Sequence, residues 1–228
     1  MATSSLLETL HNQLRMIADP GKAQGMQAYM KSAMPYLGVS TMPLRKVCAR
    51  VFAQGAYTSA KAWQRDVLAI WRGANFREER YAAIELTGIV ASRPFQTLDA
   101  LPMYEEIVVT GAWWDYVDAI ATQRLIILLA EDPTAMKRKM ITWSKCGNLW
   151  KRRSAILCQI KAKESTDLEF LYKCIDPSIG SSEFFLRKAI GWALRQYAWT
   201  DPQEVLRYVK TNQIRLSALS KREALKNV

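Results

Sequence analysis

The side chains best suited to chemistry in this chain are one acid, two indoles and one guanidinium: Asp118, Trp114, Trp192 and Arg153. Trp114 and Asp118 are four residues apart, so on a helix they share a face. A fixed carboxylate can stabilise a developing cation, or position and deprotonate a water. Indole faces attract cations at about 0.5–2 kcal/mol each. The same residues also have a structural reading. Tryptophan on a helix is usually core, and Asp118 can cap a helix or simply pair with Arg153. Trp113 and Trp114 are consecutive and point roughly 100° apart on a helix, so at least one of them is expected in the core.

Other chemistries are poorly supplied. His11 is the only histidine, and Cys48, Cys146, Cys158 and Cys174 include no C-x-x-C pair. A zinc site with Cys/His spacing is therefore excluded. So is Ser–His–Asp or Cys–His chemistry, unless His11 serves. The cysteines read as reduced, buried thiols, and no metal or cofactor is expected. Nucleophilic catalysis by a lysine is conceivable among so many. Only Lys188 and Lys46 fall in the face register of Trp114, Asp118 and Trp192, and neither is placed beside Asp118.

The elements that must hold these residues are helices. SLLETLHNQLRMIAD, RYAAIELTGIVAS, YVDAIATQRLIILLAED and EFFLRKAIGWALRQYA carry apolar residues three and four apart, without strand-like alternation. Breaks at residues 19–22, 92–94, 132–133, 146–148, 176–180 and 201–202 are expected to mark helix ends. Scarce Gly (10) and Pro (8) argue against an all-β chain.

The helices repeat. Ala83-Ile84 recurs as Ala119-Ile120, Ala155-Ile156 and Ala189-Ile190, and more weakly as Ala224-Leu225, at intervals of 36, 36, 34 and 35 residues. A step of 36 back from Ile84 reaches Val47-Cys48, inside LRKVCARVF. Six residues before the anchors stand Trp114, Trp150, Phe184 and Leu219, all apolar, but Glu78 before Ile84. This period predicts an all-α, HEAT-like solenoid of about six helix pairs in a single domain over residues 1–228, with a concave basic groove. Relative to its anchor, Trp114 stands at −6, Asp118 at −2 and Trp192 at +2, offsets that mark one helical face. Arg153, at −3, stands beside the acid's position one repeat later.

Lys and Arg total 32 against 21 Asp and Glu, a formal charge of +11, and residues 137–163 hold nine basic side chains before the first acid at Glu164. A long single-sign run favours a polyanionic partner, nucleic acid before an acidic membrane surface. The N-terminus has no basic start followed by an apolar run, and the longest apolar stretch, Leu125–Ala130, is too short to span a membrane. A cytoplasmic, monomeric protein with no membrane partner is expected.

Three segments carry a family resemblance: Trp113-Trp114-Asp115-Tyr116-Val117-Asp118, Asn148-Leu149-Trp150-Lys151-Arg152-Arg153 and Lys188-Ala189-Ile190-Gly191-Trp192. They closely resemble the AlkD family of bacterial DNA alkylation repair glycosylases. Ala28-Tyr29-Met30-Lys31, Tyr36-Leu37-Gly38-Val39 and Leu219-Ser220-Lys221-Arg222-Glu223-Ala224 extend the match over essentially the whole chain. The resemblance implies duplex DNA in the groove, read through backbone and sugar rather than by base flipping, and excision of cationic N3- and N7-alkylpurines. It places the catalytic aspartate on Asp118, sugar-contacting indoles on Trp114 and Trp192, a groove arginine on Arg153 and an N-terminal aromatic on Tyr29. Arg152, Lys151, Arg195 and Lys221 are further candidates for phosphate contact. The competing expectation is a non-catalytic HEAT-like module that binds DNA or an acidic protein segment.

Overall fold

Three Asp–Pro pairs in the sequence each open a helix. Asp19, Asp132 and Asp201 accept the backbone N–H of Lys22, Ala135 and Glu204 at 3.3, 2.9 and 2.9 Å, with proline in the first turn that follows. Each such cap contributes about 1 kcal/mol, and proline there gives up no hydrogen bond. Asn148 caps its helix twice, accepting from Trp150 and Lys151 at 3.0 Å each. The expected helix ends at 19–22, 132–133, 146–148 and 201–202 therefore have identifiable stereochemical causes.

These elements belong to a computed structural model that describes residues 3–53 and 57–228, the Ser4 side chain excepted. The chain is 75% helical, with no strand among the described residues, and is consistent with a HEAT-like α-solenoid. None of the described helices is long and apolar enough to cross a membrane.

The chain divides into two units, Met1–Gln96 and Thr97–Val228. The first contains α1 (Thr3–Met16), α2 (Pro20–Met30), α3 (Thr41–Phe52), α4 (Ala60–Gly73) and α5 (Arg77–Leu86). The second contains α6 (Leu101–Gly111), α7 (Trp114–Gln123), α8 (Leu125–Glu131), α9 (Pro133–Lys145), α10 (Leu149–Leu157), α11 (Leu168–Ile175), α12 (Phe184–Tyr197), α13 (Pro202–Thr211) and α14 (Ala218–Ala224). Within the second unit α6 packs on α7 and α9 on α10, while α7, α10, α12 and α14 pack side by side in that order. The anchors Ile84, Ile120, Ile156 and Ile190 are buried on α5, α7, α10 and α12. Within the second unit the apolar period thus tracks the helices that line up in series, α7, α10 and α12, each with its anchor buried.

Two helices are shorter than periodicity predicts. α5 stops at Leu86, because the Thr87 hydroxyl donates to the Ile84 carbonyl at 2.6 Å and so satisfies a terminal acceptor. The SRP segment at 92–94 consequently lies inside a separate 3-10 turn, Val90–Phe95. The run YVDAIATQRLIILLAED is broken at Arg124 (φ −111°, ψ −49°), and beyond the break Leu125 and Leu128 are buried.

The slot six before each anchor proves heterogeneous. Trp150 is buried, Trp114 half-buried and Phe184 exposed. Glu78, the odd member, is fully buried in the first unit, where its carboxylate accepts the backbone N–H groups of Leu37, Gly38 and Val39 at 2.9, 2.8 and 3.0 Å. Gly38 adopts φ +83°, and a Cβ there would lie 1.9 Å from the Asp19 carbonyl oxygen. The acid replaces an apolar residue because it ties down a turn whose donors would otherwise be buried unmet.

Candidate functional site

Asp118 lies on α7 one turn after Trp114, and both side chains are half-buried. The carboxylate is held from α10: Arg153 Nε donates to Oδ1 at 2.7 Å and Nη2 to Oδ2 at 2.8 Å. The third nitrogen, Nη1, donates to the Phe185 carbonyl at 2.6 Å. One guanidinium therefore fastens α7 and α12 to α10. The two charged side chains are 6% exposed for Arg153 and 14% for Asp118. Burial raises the Asp118 carboxyl above its ordinary value; the hydrogen bonds and charge of Arg153 oppose that rise and the nearby Asp115 charge adds to it. The pairing with Arg153 that the sequence admits is thus present, in a fork-to-fork geometry that fixes the plane of the carboxylate.

An aromatic cluster supports this pair. Trp113, Trp150 and Phe185 meet with ring centroids 5.0–6.2 Å apart, and the Arg153 guanidinium carbon stands 5.9 Å from the Phe185 centroid. Trp113 is the extended residue before α7 (φ −149°, ψ 148°) rather than a helical one, so a helical angle between the two tryptophans does not apply. Trp113 packs into the cluster, whereas Trp114 has no ring partner among the described residues. Phe185 was not singled out from sequence. The doubled Phe184-Phe185 at the start of α12 was its only signal.

Trp192 is half-buried on α12 and likewise has no ring partner among the described residues. Gly191, just before it, lets α12 approach α14 closely: a Cβ at Gly191 would fall 2.4 Å from Glu223 Cβ and 2.9 Å from the Ser220 carbonyl oxygen. Glu223 is nearly buried and pairs with Lys188 at 3.3 Å, Arg195 at 2.9 Å and Lys226 at 2.8 Å.

The remaining candidates fall as follows. Tyr29 is on α2 of the first unit and 78% exposed. Lys151 pairs with Glu105 and stands over the Trp143 ring, 5.1 Å from its centroid. Arg152 donates to the Pro177 carbonyl at 2.8 Å and to the Ser178 hydroxyl at 2.9 Å. Arg195 is bound to Glu223, and Lys221 donates to the Gln213 carbonyl at 3.1 Å. Lys151, Arg152 and Arg195 therefore each have a partner within the fold. His11 lies in the first unit with Nε2 3.6 Å from Glu79 Oε1. Cys48, Cys158 and Cys174 are buried, and burial pushes the first two thiols up to about 12, far from thiolate chemistry. Cys146 departs from the expectation in being half-buried, in the turn between α9 and α10. Among the described residues no group of three His, Cys, Asp or Glu side chains is placed to hold a metal ion.

Residues 10–228 match a protein-family model described as DNA alkylation repair enzyme. A solved structure described as a predicted DNA alkylation repair enzyme from Enterococcus faecalis is similar at 29% identity, with a TM-score of 0.82, covering 92% of this chain and 95% of that one. No curated protein matches.

Proposed function

The chain belongs to the family of DNA alkylation repair enzymes, and from that premise we propose that it is a monofunctional DNA glycosylase releasing N3- and N7-alkylated purines, such as 3-methyladenine and 7-methylguanine, from duplex DNA. The observation that carries the proposal is the Asp118 carboxylate, half-buried and fixed in plane by Arg153 one turn from the Trp114 indole.

The chemistry suits a site without a catalytic histidine. An N3- or N7-alkylpurine already bears a positive charge. When the C1′–N bond breaks, its electron pair passes to the base nitrogen and the base departs neutral, so no acid need protonate it. The charge that remains builds on the sugar as oxocarbenium character, as in glycoside hydrolysis. Asp118 stabilises it and orients the water that adds to C1′, whose proton passes to the carboxylate or to solvent. Trp114 and Trp192 pack on the deoxyribose and attract the cationic nucleotide. Two contacts of about 0.5–2 kcal/mol each supply one to three powers of ten; the carboxylate supplies the rest. With both oxygens already oriented, little reorganisation is left for the transition state.

Recognition then runs through sugar and phosphate rather than a tight base pocket. Tyr29, exposed in the first unit, contacts the backbone directly; Lys151, Arg152, Arg195 and Lys221 do so by exchanging or sharing their present partners. One observation favours a rival reading, a non-catalytic module binding DNA or an acidic protein segment: Arg153 engages both oxygens of Asp118, as a purely structural pair would. A panel of duplexes carrying single lesions separates the two. Release of 3-methyladenine and 7-methylguanine, with uracil and 8-oxoguanine retained, is the expected pattern. No release from any duplex, or efficient release of uracil, contradicts the proposal.

A further inference from the structure

The connection between α10 and α11 is held more firmly than a surface loop requires. Gln159, 3% exposed, donates from Nε2 to the Asp167 carbonyl at 2.8 Å and accepts the Asp167 N–H on Oε1 at 3.1 Å. One side-chain amide thus closes the loop through both backbone groups of a single residue. The Asp167 carboxylate in turn caps α11, accepting the Phe170 N–H at 3.0 Å, and pairs with Lys137 of α9 at 2.6 Å. Inside this clasp Lys163 adopts φ +52°, a left-handed conformation that is unfavourable for a residue with a Cβ.

Behind the loop lies a cavity of about 300 Å³, with an apolar lining from Ile156, Ile160, Leu171 and Ala193. Ala193, Gln196 and Tyr197, spaced three and four residues apart, give it one face of α12. Its lining also holds the Thr166 and Thr200 hydroxyls, the Gln196 amide and the Tyr197 hydroxyl. None of these four side chains makes a hydrogen bond among the described residues. Burial raises the Tyr197 phenol, with Asp201 and Glu204 adding to the rise, so the hydroxyl stays neutral and can donate as well as accept. Lys163 and Glu164 contribute one charge of each sign, which leaves the lining without net charge. Trp199, 72% exposed in the turn after α12, adds an indole with no ring partner among the described residues.

A balanced charge gives no hold on a phosphate, and four uncommitted donor–acceptor groups are wasted on an aliphatic ligand. Together with a free indole face they suit a flat ring with polar edges. The volume is at the small end for ligand sites, which limits that ring to one or two fused cycles. We propose that this cavity binds one uncharged planar heterocycle of nucleobase size, stacked on Trp199 and hydrogen-bonded at its edge to Gln196 and Tyr197. A free purine base is the simplest such ligand. The clasp fixes the loop before any ligand arrives, so little ordering is left to oppose binding. The site is distinct from the Asp118–Arg153 pair and does not rest on the proposed reaction.

The test is calorimetric titration of the full chain with adenine, in the absence of DNA. Saturable binding at one site is expected, weakened about tenfold by Trp199→Ala, the scale of one base–aromatic stack, and several-fold by Gln196→Ala. Both side chains are exposed, so both variants are expected to keep the parent's Tm. Toluene, a flat ring without donors or acceptors, should not bind, and Asp118→Asn should bind adenine as the parent does. No adenine binding by the parent overturns the inference, as does binding that Trp199→Ala leaves unchanged. Toluene bound as tightly as adenine overturns it by denying the polar edge. Loss of adenine binding in Asp118→Asn overturns it by moving the ring to the candidate catalytic site. Base release is not read: a failed titration leaves the glycosylase proposal standing, and a protein that releases no base can still hold this site.

Discussion

Arg153 donates two parallel hydrogen bonds to Asp118, at 2.7 and 2.8 Å, from a helix whose other neighbour receives its third, at 2.6 Å on the Phe185 carbonyl. The acid is therefore positioned by a residue that also joins three helices, and loss of the arginine should act on both stability and chemistry. Arg153→Ala leaves a carboxylate largely buried without its counter-charge, at a cost of about 3–5 kcal/mol. For a chain of this size that is a fall in Tm of roughly 6–20 °C, to be read by calorimetry, with base release falling alongside.

Asp118 must be ionised to stabilise a cation. Its carboxyl is raised above the ordinary value because burial outweighs Arg153, so the carboxylate is lost at a higher pH than for a solvated aspartate. The acid limb of the pH–rate profile should accordingly lie above the usual aspartate range near 3.8. The folded state also holds this proton more tightly than the unfolded chain. The stability that Asp118 contributes is thus present below the unfolded value and is lost as pH rises through the folded one. A profile whose acid limb sits at or below the ordinary value contradicts this assignment.

The helices, their Asp–Pro and Asn148 starts, and the buried anchors Ile84, Ile120, Ile156 and Ile190 were legible in the sequence, because caps and apolar spacing are local causes. Glu78 was visible only as an exception to the apolar slot, since its partners Leu37, Gly38 and Val39 lie about 40 residues away. The helix break at Arg124 and the Phe185 carbonyl under Arg153 were not legible. A backbone acceptor leaves no trace in residue type, and a run of apolar residues does not record where tertiary packing bends it. Asp118 and Arg153 could be placed one repeat apart, but their bidentate contact required coordinates.

Gly191→Ala tests whether α12 must sit close to α14 for Trp192 to function. The new methyl would fall 2.4 Å from Glu223 Cβ and 2.9 Å from a backbone oxygen, so the helices must separate, at about 1–3 kcal/mol. A lower urea midpoint with a several-fold loss of base release is expected. Unchanged release in a destabilised variant would show that Trp192 does not depend on this contact.

Lysine catalysis through a Schiff base requires a free amine, and Lys188, the lysine of the described sequence register nearest to Trp192, is ion-paired with Glu223 at 3.3 Å. The Glu223 carboxyl is held low, chiefly by its hydrogen bond from Lys226, with Lys188 adding to the effect. Borohydride added during turnover should trap no covalent protein–DNA adduct and the strand should remain uncut. A trapped adduct would replace hydrolysis by water with a lyase route.

The central claim is that Asp118 acts on the sugar of an alkylated nucleotide rather than merely closing an ion pair. The most direct measurement is release of free 7-methylguanine from a duplex carrying one such lesion, by the parent and by Asp118→Asn, with duplex binding followed in parallel. Loss of release by roughly 10²–10³-fold, with duplex binding retained, is the expected result. Release by Asp118→Asn at the parental rate, or no release by either protein, would contradict it.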